Sequence, residues 1–145
     1  MKPAVTDVVY SDGRYRVTAT GTARAPLHRL LDLHRTAEGA AAFRDVGTYL
    51  AFDTTPGGEV YRSTHPGGLV VVSEIQSRAG RATVSFHGES RHVALDGTWV
   101  FHAAAEGTRV ELRQTVVPKH ALGWLPLRGL LERRSRRVVE DHCAI

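Results

Sequence analysis

Polar and apolar residues alternate over several stretches of this chain, and stretches with helical spacing stand between and after them. Tyr15, Val17 and Ala19 alternate with Arg14, Arg16, Thr18 and Thr20, the period-two pattern of a strand with one buried face. Ser11-Asp12-Gly13 before it reads as a turn. Leu27, Leu30, Leu31 and His34 then recur at helical spacing behind Pro26, whose fixed φ suits a first helical turn. Thr36 is placed to cap a second short helix running toward Phe43, with Glu38 near its positive end.

From Thr48 onward the pattern predicts strands: Thr48–Asp53, Glu59–His65, Leu69–Ser77, Arg81–His87, Thr98–Ala104 and Arg109–Val117. Turn chemistry separates them, at Pro56-Gly57-Gly58, Pro66-Gly67-Gly68, Ala79-Gly80, Asp96-Gly97 and Glu106-Gly107. Pro118 to Gly123 reads as a loop. A long helix from about Leu125 to His142 closes the chain, with Leu127, Leu130, Leu131, Val138 and Val139 on its apolar stripe. A sheet of about seven strands that must bury one face, supplied with one long amphipathic helix, wraps around that helix. The expected class is α+β, a strongly curved antiparallel sheet with two short helices after the first strand. Because a curved sheet and a straight helix do not mate everywhere, a cavity is expected between them.

At 145 residues the chain suits a single domain spanning 1–145. No apolar run approaches a membrane span, no apolar leader precedes Asp7, and Cys143 is the single cysteine; these features suit a reducing, cytoplasmic setting. The net charge of +4 is concentrated in residues 128–137, where five arginines accompany one acid, Glu132. Outside that stretch 14 basic residues balance 14 acidic ones. The excess therefore reads as the solvated face of one helix, with Arg133, Arg134, Arg136 and Arg137 exposed, and no nucleic-acid partner is expected.

The order of elements resembles the helix-grip fold of the START-like (SRPBCC) superfamily, which includes polyketide cyclases/dehydrases and lipid-transport proteins. Asp96-Gly97-Thr98-Trp99-Val100-Phe101 followed by Glu106-Gly107-Thr108-Arg109-Val110-Glu111-Leu112 is similar to that family's penultimate hairpin, a tryptophan strand and then G-T-x-V. Leu30-Leu31-Asp32-Leu33 resembles its first helix. Pro118 and the helix end Arg136-Arg137-Val138-Val139-Glu140-Asp141 are similar to single-domain aromatase/cyclases. Two positions depart: the aromatase/cyclases carry a Trp-Pro pair after the first helix where this chain has Ala40-Ala41, and an arginine toward the end of the fourth strand where it has Glu74. The resemblance implies a cavity for a hydrophobic small molecule. It implies either cyclisation or dehydration of a polyketide-like intermediate, or non-catalytic carriage of a lipid-like ligand by a monomer or homodimer.

Strand parity supplies the candidate site. Val84 and Phe86, Trp99 and Phe101, and Val110, Leu112 and Gln114 share a face on their respective strands. Phe86, Trp99, Phe101, Val110 and Leu112 are candidate substrate contacts or core filling, joined from the last helix by Leu131 and Ser135. Gln114 and Glu74 are the candidate catalytic groups. Glu74 faces the cavity if Val70 and Val72 do, as a desolvated acid–base carboxylate, and faces solvent if Ser73 and Ile75 point inward. The eight histidines lack metal-binding spacing and read as surface or partly satisfied side chains, with His87 and His102 outward. With no G-x-S-x-G, phosphate loop or dinucleotide fingerprint, neither a nucleophilic triad nor a cofactor is expected, and Cys143 is placed at a frayed terminus.

Overall fold

The computed structural model describes residues 4–36, 48–56, 58–65, 68–119 and 127–145. Its strands are β1 (Val5–Ser11), β2 (Arg14–Ala23), β3 (Thr48–Thr55), β4 (Gly58–His65), β5 (Leu69–Arg78), β6 (Arg81–Glu89), β7 (Val93–Ala104) and β8 (Gly107–Pro118). Helix α1 (Leu27–Arg35) follows β2, and α2 (Leu127–Cys143) ends the fold. All eight strands form one antiparallel sheet in the order β1-β2-β8-β7-β6-β5-β4-β3. The connection carrying α1 leads from β2 to the far edge at β3. The chain then returns strand by strand until β8 pairs with β2.

The expected α+β architecture is present, a curved antiparallel sheet around a C-terminal helix. Three details differ. An additional strand, β1, precedes the Asp12-Gly13 turn, whose two residues take positive φ (53° and 75°) and join β1 to β2 as a tight hairpin. β1 is an edge strand that buries Ala4 and Val8 beside it while Val5, Val9 and Tyr10 stay exposed, so it lacks a clean alternation. β7 begins at Val93, and Asp96-Gly97 lies inside it instead of forming a turn. Gly97 stands between Phe86 on β6 and Gln114 on β8, and a Cβ there would collide with the Phe86 ring. It is a glycine for close approach. The third difference is Cys143, which is buried in the last turn of α2, its thiol pushed up to about 11 chiefly by burial.

The second short helix expected toward Phe43, the Ala40-Ala41 pair and the start of the last helix before Leu127 lie outside the described residues. Thr36 bonds back to α1, its hydroxyl donating to the Asp32 carbonyl at 3.3 Å. Among the described residues no helix is long and apolar enough to cross a membrane.

α2 lies against β2, β1 and β8, one end of the sheet. Small residues let it approach: Ala19 and Ala23 are fully buried beneath it, and a Cβ on Gly21 would stand 2.8 Å from Cys143 Sγ and 3.0 Å from Val139 Cγ1. α1 touches the sheet at β6 and β7. Between the helices and the β4–β8 part of the sheet the interior is not filled.

Candidate functional site

The unfilled space is a cavity of about 270 Å³. Its wall is mainly apolar: Leu69 and Val71 from β5, Phe86 from β6, Trp99 from β7, Leu112 from β8 and Leu131 from α2. Tyr61 and Ser63 on β4 and Ser73 on β5 also face it; two serines where larger residues would fill the interior help explain why space remains. Leu130 and Arg134 line it too and are exposed, so they mark where it meets solvent.

Most of the candidate contacts reach this cavity. Phe86, Trp99, Leu112, Gln114, Leu131 and Ser135 all line it. Gln114 Nε2 donates to Ser135 Oγ at 2.9 Å, tying β8 to α2 across one side. Phe101 and Val110 do not line it: both are fully buried in the core beside it, with the Phe101 ring 5.7 Å from the His34 ring.

Glu74 is also outside. On β5 the buried residues are Val71, Ser73 and Ile75, and Val70 and Val72 are each 40% exposed. Glu74 therefore stands on the convex face, half-buried, where the Gln76 amide donates to it at 3.3 Å. Either parity of this strand was apolar enough to face in; pairing with β4 sets Ser73 beside Tyr61 and turns Glu74 away. Among the described residues no carboxylate lines the cavity.

Its polar end is instead built by Tyr61 and two histidines, His34 and His142, which are buried and hydrogen-bonded and not the surface or partly satisfied side chains expected. His34 follows Leu30 and Leu31 on the buried face of α1, and His142 follows Val138 and Val139 on that of α2. The two imidazoles meet with Nε2 to Nε2 at 2.9 Å; His34 Nδ1 lies 2.7 Å from the Tyr61 hydroxyl, and His142 Nδ1 donates to the Val138 carbonyl at 2.7 Å. Trp99 covers them, its ring centroid 4.2 Å from that of His142 and stacked parallel to Phe101. Burial holds His34 well below the usual histidine range, with His142 beside it adding to the effect. Burial likewise lowers His142 to about 4, against the opposing pull of the Val138 carbonyl and Asp141. Both rings are neutral at physiological pH. A histidine placed three or four residues after an aliphatic pair on a helix's apolar stripe was the available signal.

The remaining expectations concern charge. Arg133, Arg134 and Arg137 are exposed, and Arg136 is half-buried in an ion pair with Glu132 at 2.8 Å. His87 is exposed and His102 half-buried. Among the described residues no three His, Cys, Asp or Glu side chains gather as a metal site.

Solved structures share this architecture. The aromatase/cyclase Zhui from Streptomyces sp. R1128 superimposes with a TM-score of 0.69 over 90% of this chain and 92% of its own, at 16% identity. The STAR-related lipid transfer protein from Xanthomonas axonopodis gives 0.69 over 96% and 97%, at 12% identity. Human STARD10 gives 0.69 over 96% of this chain and 71% of its own, at 8% identity. The fold is START-like. At these identities the likeness concerns the fold, which in this case has neighbours named as an aromatase/cyclase and as a lipid transfer protein. No protein-family model matches the sequence, and no curated protein sequence matches it. In the START-like frame of this chain the helix–sheet gap and the His34–His142 contact both lie where α1 and α2 converge on β4–β8.

Proposed function

We propose that the protein takes a hydrophobic, oxygen-bearing small molecule into the cavity between α2 and the sheet, as a binder or carrier. The observation that carries this reading is the lining itself. Aliphatic and aromatic walls are interrupted by a few polar stations, Tyr61 with His34 and His142, Ser63 with Ser73 and His65, and Gln114 with Ser135, and Arg134 stands at the opening. Apolar walls supply affinity through buried area, and sparse polar groups fix orientation. The test is native mass spectrometry of the purified chain. A bound small molecule should appear as an adduct and be lost in Leu131→Trp, which extends a ring into the space. An adduct retained unchanged in that variant would overturn the reading.

A second reading, a cyclase or dehydratase acting on a polyketide-like intermediate, is favoured by the Tyr61–His34–His142 chain in the cavity wall. With Glu74 outside, acid–base work would fall to these groups, while the walls fold a flexible chain toward a reactive shape. Incubation with a linear poly-β-ketone and detection of water loss tests it. Tyr61→Phe should then lower turnover about 10²-fold with KM little changed. Unchanged turnover in that variant would remove the chain from the chemistry.

A further inference from the structure

The polar end of the cavity has a direction, and it follows from one carbonyl. Val138 O can only accept, so His142 carries its hydrogen on Nδ1. In a neutral imidazole that leaves a lone pair on Nε2, 2.9 Å from His34 Nε2. His34 must donate there, since the other arrangement sets two lone pairs face to face. His34 Nδ1 is then bare, and the Tyr61 hydroxyl at 2.7 Å donates to it. Burial of both rings, which disfavours an extra proton on either, keeps the chain in this form. Tyr61 has one hydrogen, and His34 holds it. Whatever else meets the Tyr61 oxygen must therefore donate.

We infer that the Tyr61–His34–His142 chain makes this end of the cavity a hydrogen-bond acceptor that selects a hydroxyl group, phenol, enol or alcohol, on an otherwise apolar ligand over a carbonyl or ether at the same place. The inference rests on the cavity's being a small-molecule site and names the class of molecule it takes. Tyr61 is the contacting residue. His34 and His142 are positioning residues, because they act by fixing which way the Tyr61 hydrogen points. Trp99 and Phe101 pack around the two imidazoles and hold the rings in place.

Two measurements on the full chain test it. Calorimetric titration compares 2-naphthol with 2-methoxynaphthalene, the same two-ring frame without the hydroxyl hydrogen. The hydroxyl compound should bind about tenfold more tightly or better, because the ether sets an acceptor against an acceptor. Tyr61→Phe should close that gap from both sides, weakening 2-naphthol by removing its acceptor and relieving the acceptor–acceptor contact that penalises 2-methoxynaphthalene. Independently, nitrogen-15 correlation spectra of the wild-type protein should show His34 protonated on Nε2 and bare on Nδ1, a readout that needs no variant. Equal binding of the two probes, a gap that survives in Tyr61→Phe, or a His34 protonated on Nδ1 would each overturn the selectivity while leaving a small-molecule cavity intact. Failure of both probes to bind would overturn the small-molecule reading and the selectivity with it.

Discussion

The two ends of the sheet meet the same interior with opposite outcomes. Under α2, strand β2 offers Val17, Ala19, Gly21 and Ala23, and the helix presses down until Val139 and Cys143 leave no room for a Cβ on Gly21. Toward β4 and β5 the inward side chains include Ser63 and Ser73, neither described helix packs closely onto these strands, and among the described residues space for a small molecule remains. In both regions small residues face inward. What differs is whether an element fills the room they leave, so the same residue class produces close packing at one end and a cavity at the other. The buried histidines sit at the junction, where the last turn of α2 and the last turn of α1 come together.

The largest expected effect attacks that junction through pH. An unfolded chain protonates His142 near the ordinary ~6.5, whereas the folded protein does so only at about 4. Between those values the unfolded state binds a proton that the folded state refuses, so acid favours unfolding. The stability contributed by a neutral His142 is complete above pH ~6.5, falls as pH drops, and is gone below about 4. The gap corresponds to roughly 3 kcal/mol, and His34, lowered in the same direction, adds to it. Urea unfolding at about pH 7.5 and about pH 4.5 measures the loss. His142→Gln should flatten the pH dependence relative to the wild type, which separates the histidine from carboxylates that titrate over the same range.

Added volume should then distinguish the two regions directly. Gly21→Val forces a branched side chain against Cys143 Sγ and Val139 Cγ1, and should cost about 1–3 kcal/mol in urea unfolding. Leu131→Trp adds more atoms but sends them into existing space, and should change stability by about 1 kcal/mol or less while abolishing ligand adducts. If the two variants were equally destabilised, the cavity would not be the open region described.

How much of this was legible in the sequence depended on whether one pattern had one solution. Leu112 and Gln114 were readable as one face because Arg109, Glu111 and Arg113 occupy the other parity of β8. Trp99 followed from Asp96, Thr98 and His102 on the other parity of β7, although Val100 is buried there too. β1 was not readable, since an edge strand needs only Val8 to face in and so shows no period of two. Gly97 looked like a turn because Asp-Gly usually is one; the reason it lies mid-strand, the Phe86 ring above it, is a tertiary contact that no local pattern contains. His34 and His142 were visible on their apolar stripes, but 108 residues separate them, and only the fold brings their ring nitrogens together. Phe101 and Val110 share the parity of the cavity residues yet stop short of it, because parity gives a direction and not a depth.

The smallest expected effect is the most informative about Glu74. The run from Val70 to Ile75 has apolar residues on both parities, so the carboxylate could have been a desolvated acid in the cavity or a charge on the outer face. The buried set of Val71, Ser73 and Ile75 decides for the outer face, where Glu74 meets Gln76 along its own strand. Glu74→Gln removes the ionisable proton and keeps the shape. On the convex face that change should leave 2-naphthol affinity, adduct formation and any turnover unaltered, and move stability by no more than about 0.5 kcal/mol, as for surface substitutions generally. Tyr61→Phe, an equally small change across the sheet, should alter probe selectivity about tenfold. Measuring both variants with the same two probes sets one polar atom outside the sheet against one inside it. A Glu74→Gln effect as large as that of Tyr61→Phe would mean that β5 presents its other face to the ligand.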